Sequence, residues 1–427
     1  MKRFFKLKEN NTDIRTELIG GLTTFLTMAY IIFVNPAILS ETGMDKGALI
    51  TVTCLVGGLS TLLVALWANA PFAMAPSMGL NAFFTYTLVL GQGLSWQTAL
   101  GVVFISGIAF LILTLAGVRE KVVSAIPLSL RISTAAGIGL FITFIGLKNM
   151  GLIVDNPATL VSLGALTKPA LIGLGALMLI TILEIHKIRG SILIGIIAAT
   201  VVAVLCGEVA LPSAVCSVPP SLAPIAFKLD IVGAFKWGLL GSVFSFMFVD
   251  LFDSVGTIVA CSYEAGHVEP DGSIKKIDKV LEADAVATIA GSLLGTSTTT
   301  TFIESAAGIA DGARTGLASV VTGLLFLAGL FFAPLIGVVP AFATAPALVM
   351  VGVFMFRNIK QIDFMEMKSA VPAFLTMILM PLTYSVATGL AVGFLAYLII
   401  EIFSGKVREI SLVMWVIGIL SAINMAL

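Results

Sequence analysis

An all-α polytopic membrane protein, with about 14 transmembrane segments in two inverted seven-segment repeats, is the fold class this sequence predicts. Three observations predict it. Of 427 residues 58% are hydrophobic and only 11% charged, whereas a soluble domain carries roughly a quarter charged residues. The 72 positions from Gly47 to Val118 hold no Asp, Glu, Lys or Arg. About 20 apolar residues cross the hydrocarbon once, so this run alone holds roughly three crossings. Finally, short patterns recur in the same order in both halves of the chain.

The segments, delimited by apolar length between charges or breakers, fall near 17–40, 48–69, 74–91, 97–117, 128–148, 169–186 and 190–207 in the first half. In the second half they fall near 233–262, 281–296, 302–312, 315–333, 338–356, 370–385 and 387–404. Segments 74–91 and 302–312 are short and interrupted, and the apolar stretch 410–425 reads as an interfacial or half-inserted helix. The polar stretch Asn10 to Glu17 followed by a full-length span argues against a cleavable signal. The clusters Lys2 to Lys8, Arg119/Lys121, Lys187/Arg189, Lys275/Lys276/Lys279, Arg357/Lys360/Lys368 and Lys406/Arg408 all fall on one side. The opposite loops carry chiefly Lys148, Lys168 and Lys228. By the positive-inside rule the N-terminus is cytoplasmic, and the expected location is the inner membrane. The mixed-sign stretch Glu264 to Asp284 reads as a solvated loop.

The repeat rests on two matches. Arg189 to Ala198 aligns with Ala387 to Ala396, pairing Gly195 with Gly393 and Gly207 with Gly405. Ile126-Pro127 and Gly139 to Phe141 echo Val339-Pro340 and Gly352 to Phe354. The halves span 13–207 and 230–405, and an odd number of spans in each makes the second inverted. Broken helices in inverted repeats place a transported solute at the midplane.

Candidate site residues are the polar groups stranded inside spans. Asp250 and Asp253 are the only charged residues between Trp237 and Tyr263. Three apart, they share a helical face. An ionised Asp at mid-bilayer costs at least about 2.5–3.5 kcal/mol, so a functional cavity explains the pair better than a structural role. Glu304 follows Ser297 and four threonines, β-branched residues that favour extended backbone. Irregular backbone at membrane depth is tolerated only where it lines a cavity or meets protein. An ion pair with Arg314 is the bland alternative. In the first half Pro76 and Gly79 interrupt a charge-free span, and Asn81 offers both donor and acceptor. Phe83 and Phe84 can stack on an aromatic ligand or simply pack; Thr24 and Thr27 reach toward the cavity or bond back to their own helix. Cys54 and Cys261 read as packing thiols, and His186 and His267 fall in loops, so neither a metal nor a cofactor is expected.

The segments Phe248 to Thr257, Thr300 to Gly308, Ala75 to Phe84 and Glu17 to Tyr30 resemble the signature segments of the azaguanine-type purine permeases, nucleobase–cation symporters similar in fold to the uracil permease. The resemblance covers essentially the whole chain. It implies a core domain from 13–117 and 233–333 and a gate domain from 128–207 and 338–404. It also implies uptake of adenine, guanine or hypoxanthine driven by protons, with no enzymatic step. Carried over residue by residue, Asp253 and Glu304 resemble the acids that hold the base, with Asn81 and Asp250 close by; Phe83 and Thr24 join them as candidates from the reading of the residues alone. Proton coupling is expected at Asp250 or Asp253, because burial disfavours an ionised carboxylate and neighbouring acids resist double ionisation. The expected partners are a purine base, a proton and the lipid bilayer, with a homodimer as a further candidate and no nucleic acid.

Rival readings are a sulfate-type anion transporter of the same architecture, a uracil or xanthine permease, an intramembrane aspartyl protease and a cation channel. Three acids disfavour the anion transporter. The protease needs its aspartates on different helices, and the channel needs a symmetric ring of acids.

Overall fold

A computed structural model describes residues 4–117, 125–212, 214–235, 239–268, 274, 276–405 and 407–426. Lys2, Arg119, Lys121, Trp237, Lys275 and Lys406, invoked above, lie outside the described residues. The chain is mostly helical. Among the described residues nine helices are long and apolar enough to cross a membrane, and shorter apolar helices accompany them at Met78–Gly91, Ser191–Leu205, Met367–Thr383 and Leu412–Ala422. This is a multi-pass membrane protein.

In the first half the elements are α1 (Ile14–Met28), α2 (Ile31–Leu39), α3 (Lys46–Trp67), β1 (Met74–Pro76), α4 (Met78–Ala82), α5 (Trp96–Leu115), α6 (Leu128–Asn149), strands β2 (Ile153–Asn156) and β3 (Leu160–Leu163), α7 (Lys168–Ile185) and α8 (Ser191–Leu205). Polar caps define their starts: Asp13, Asp45, Ser95 and Thr167 each accept an amide of the first turn in α1, α3, α5 and α7. A short helix α9 (Ile231–Ala234) precedes α10 (Leu240–Ala265), α11 (Ile277–Leu294), β4 (Thr299–Thr301), α12 (Ser305–Ala310), α13 (Gly316–Gly329) and α14 (Ala333–Val338). The chain ends with α15 (Ala341–Phe356), α16 (Met367–Thr383), α17 (Val386–Phe403) and α18 (Leu412–Ala426).

Two differences from the sequence reading matter for the site. The stretch 17–40 is broken at Ala29–Tyr30, so Tyr30 stands at the junction of α1 and α2. The stretch Glu264 to Asp284 is not a loop throughout. Helix α10 runs on to Ala265 and α11 begins at Ile277, so Asp284 lies within α11 and is fully buried. Glu282 and Lys279 made that turn look solvated; they reach Trp67 instead, by a hydrogen bond and a cation–π contact.

The helices pack as two groups. Helix α3 lies against α13, α5 against α11, and α1 against α12 and α13. Separately, α6 lies against α15 and α16, α16 against α17, and α7 against α8. Glycine sets these close approaches, as expected where lipid offers no hydrophobic drive. A Cβ on Gly20 would stand 2.9 Å from the carbonyl oxygen of Gly308, and one on Gly139 2.8 Å from that of Gly352. Gly352→Val is therefore expected to overpack the α6–α15 crossing and cost about 1–3 kcal/mol. A lowered midpoint in a detergent thermal-shift assay is the expected reading; an unchanged midpoint would mean the crossing has slack.

Buried Glu17 ties α1 to α13. Its carboxylate accepts from the amides of Arg314 (2.9 Å), Thr315 (3.3 Å) and Ala318 (3.1 Å), satisfying donors that the start of a helix leaves open.

Candidate functional site

The interrupted stretches expected from Pro76, Gly79 and the threonine run meet each other. Strands β1 and β4 pair antiparallel, with Ala75 opposite Thr300. The ladder is extended by the amide of Ser77 donating to the Thr298 carbonyl (2.9 Å) and that of Phe302 to the Ala73 carbonyl (2.9 Å). Two unwound pieces thus satisfy one another's backbone groups at the centre of the helical bundle, which is what allows them to exist there. A helix leads away from each, α4 after β1 and α12 after β4.

A cavity with about 440 Å³ of empty space, open mouth included, lies beside this crossing. Ser77, Met78 and Gly79 line it from the first broken segment, Thr300 to Glu304 from the second, and Asp253 and Thr257 from α10. Tyr30 comes from the α1–α2 junction, and Val351 and Met355 from α15 in the other helical group.

Asp253 and Glu304 open onto the same cavity. Asp253 Oδ2 accepts from the Ser77 hydroxyl at 3.0 Å. Glu304 Oε1 accepts from the Tyr30 hydroxyl at 2.5 Å. The main-chain carbonyl of Glu304 accepts from Thr27 at 3.4 Å. Arg314, the alternative partner of Glu304, instead donates its guanidinium to the carbonyls of Ile309 (2.6 Å) and Ala313 (2.7 Å).

The other expected site residues stand off the cavity wall. Asp250, one turn before Asp253, is buried next to Asp284 of α11. The two aspartates of α10 therefore have different surroundings, although they are three apart. Asn81 is fully buried in a chain of side-chain hydrogen bonds: it donates to Asn35 Oδ1 (2.5 Å) and accepts from Ser297, while Asn35 donates to Thr53 (2.6 Å). This chain links α2, α3 and α4 to the segment entering β4. Phe83 is fully buried, stacks on Phe246 with centroids 4.5 Å apart and does not line the cavity. Thr24 is buried where α1 meets Gly308 of α12. Thr27 bonds back to the carbonyls of Thr23 and Thr24 as well as to Glu304.

Tyr30, Ser77, Thr257 and Phe302 line the cavity without having been singled out. Each is an uncharged residue in a run of similar ones, so nothing in spacing or charge separated them. Among the described residues no group of three or more His, Cys, Asp or Glu could hold a metal ion. The donor set is one of carboxylates, hydroxyls and main-chain groups beside an apolar wall. Such a set suits a planar, neutral, polar-edged molecule: acceptors for its N–H groups, donors for its carbonyl or imine groups, and Val351 and Met355 for its face.

The model described as "Permease family" matches residues 15–392. The adenine permease AdeP of Escherichia coli (strain K12) is 43% identical over 412 residues, covering 96% of this chain and 92% of AdeP. The guanine/hypoxanthine permease PbuG of Bacillus subtilis (strain 168) is 43% identical over 427 residues, covering 97% of each. Among solved structures, the transmembrane domain of the cyanobacterial bicarbonate transporter BicA superposes with a TM-score of 0.67 at 16% identity, over 89% of this chain and 97% of that one; it shares the fold. The chain belongs to the permease family, in its azaguanine-type adenine/guanine/hypoxanthine group.

Proposed function

We propose that this protein imports purine bases, adenine, guanine or hypoxanthine, by proton symport with alternating access across the inner membrane, its N-terminus in the cytoplasm. The observation that carries the reading is the convergence of Asp253 and Glu304 on one cavity, between the two paired broken segments and the apolar side chains of α15. The names of the relatives supply the substrate class. Carboxylate oxygens accept ring N–H groups, and a carboxylate that takes up a proton on the outer side and releases it inside couples the two fluxes. Asp253 in the cavity, with Asp250 and Asp284 behind it, is the group to which we assign that proton.

In this reading residues 13–117 and 233–333 form the core domain and 128–207 and 338–404 the gate. The two packing groups support that division, since the closest helix pairs fall within one range or the other. The fourteen-segment inverted repeat has support of the same kind. Gly139 and Gly352, matched between halves, meet each other at the α6–α15 crossing, as equivalents on a two-fold axis do. Gly195 packs on Ala176 and Ile180 of the preceding helix, and its match Gly393 on Pro372 and Thr376, both spaced by one turn.

Alternating access also has geometric support. From Asp253 the lining continues to Thr257 and to Met355, next to Arg357 on the basic side. On the other side Tyr384 packs edge-on against Tyr86, Phe141 and Phe144, and its carbonyl accepts from Thr87 at 3.0 Å. We read this arrangement as closed outside and accessible from the cytoplasm. An anion substrate, as for the fold-sharing bicarbonate transporter, is disfavoured because two carboxylates line the cavity and, among the described residues, no Lys or Arg does.

Uptake of radiolabelled adenine and hypoxanthine by cells producing the protein tests the function. Saturable accumulation that collapses with a protonophore is expected. Accumulation of sulfate or bicarbonate, with no purine uptake, would overturn it.

A further inference from the structure

Glu304 is held from α1 at two points, by Thr27 on its main-chain carbonyl and by Tyr30 on its carboxylate. The spacing of α1 and α12 is set by glycine: Gly20 and Gly308 are in close approach, with no room for a side chain on either. Tyr30 is itself fully buried, yet lines the cavity, and its hydroxyl reaches Glu304 Oε1 across the break between α1 and α2. Among the described residues no other side chain hydrogen-bonds the Glu304 carboxylate. A carboxylate without such a tether turns freely about its last torsion, which is broad and two-fold rather than staggered.

We propose that Tyr30 is a positioning residue for base recognition: its hydroxyl holds one carboxylate oxygen of Glu304 and so presents the other to the N–H edge of the purine. The inference rests on the purine reading of this cavity and adds a residue through which specificity is set. A phenol is a donor of fixed length on a rigid ring, so it defines both the distance and the plane of the carboxylate. A bidentate encounter of carboxylate and ligand is replaced by a single directed bond. Purines are then discriminated by where their ring N–H lies relative to that one oxygen.

The test uses the purified full chain in proteoliposomes, with labelled adenine and hypoxanthine as probes. Tyr30→Phe keeps the buried ring and removes only the hydroxyl. Its KM is expected to rise about tenfold with the maximal rate changed by less than about twofold. In a Glu304→Ala background, which leaves the Tyr30 hydroxyl no carboxylate to hold and where binding is read by calorimetry, the same substitution is expected to change the dissociation constant less than about twofold. An unchanged KM, a fall in maximal rate alone, or an equal factor in both backgrounds would each overturn the proposal. Should Tyr30→Phe fail to give a monodisperse protein, 3-fluorotyrosine placed at position 30 serves instead. Its stronger donor is expected to shift KM, and an unshifted KM overturns the inference. A wild-type chain with no saturable purine transport would remove the purine reading itself. A wild type that transports, beside a Tyr30→Phe that matches it, would remove only the role of Tyr30.

Discussion

Glu304→Gln is expected to raise the KM for purine uptake about 100-fold while leaving the protein folded and in the membrane. The amide has the same size, and its oxygen still accepts the Tyr30 hydroxyl. What changes is the other end, where an acceptor becomes an NH₂ donor facing a ring N–H. A hydrogen bond to a charged group is worth about 1.5–3 kcal/mol, or roughly 10–150-fold, and two opposed donors add a penalty to that loss. Initial-rate uptake over a range of adenine or hypoxanthine concentrations reads the effect. Unaltered kinetics would remove Glu304 from the site.

Asp253→Asn is expected to uncouple transport from the proton gradient. Asn can still accept the Ser77 hydroxyl through its carbonyl, so the local hydrogen bond persists. It has no titratable proton, and a symporter lacking its proton carrier can exchange substrate but not concentrate it. The expected pattern is loss of protonophore-sensitive accumulation, with exchange of internal for external purine retained. Measuring accumulation and counterflow on the same vesicles separates the two. An Asp253→Asn protein that still concentrates purine against a gradient would remove the coupling role from this residue, and Asp250 with Asp284 would become the group to test.

The isolated charges were the legible part of the candidate site. Asp253 and Glu304 stand out because nothing else near them in sequence is charged, and both open onto the cavity. Pro76, Gly79 and the threonine run likewise announced the two breaks, which are strands β1 and β4. Asp284 was not legible. Its turn is rich in charge, and only the fold shows that Glu282 and Lys279 point toward Trp67 while Asp284 turns inward. Asn81 was visible as a polar residue in an apolar span. Its partners Asn35 and Ser297, and Thr53 beyond Asn35, come from three separate stretches of chain, so whether it serves substrate or scaffold was a question of distance.

Amino-acid order is enough to set the solvent and the chemistry. A 58% hydrophobic chain with a charge-free run from Gly47 to Val118 has only the bilayer to fold in. There a stranded acid implies a cavity, because an ionised group in hydrocarbon is costly wherever it stands. Tertiary structure alone decided which acids share that cavity, that Tyr30 holds Glu304, and that Asp250 is buried off the cavity wall. Those facts depend on helix rotation and crossing, which are set by packing between segments distant in the chain. Hydropathy is a property of each segment alone and carries no record of its neighbours.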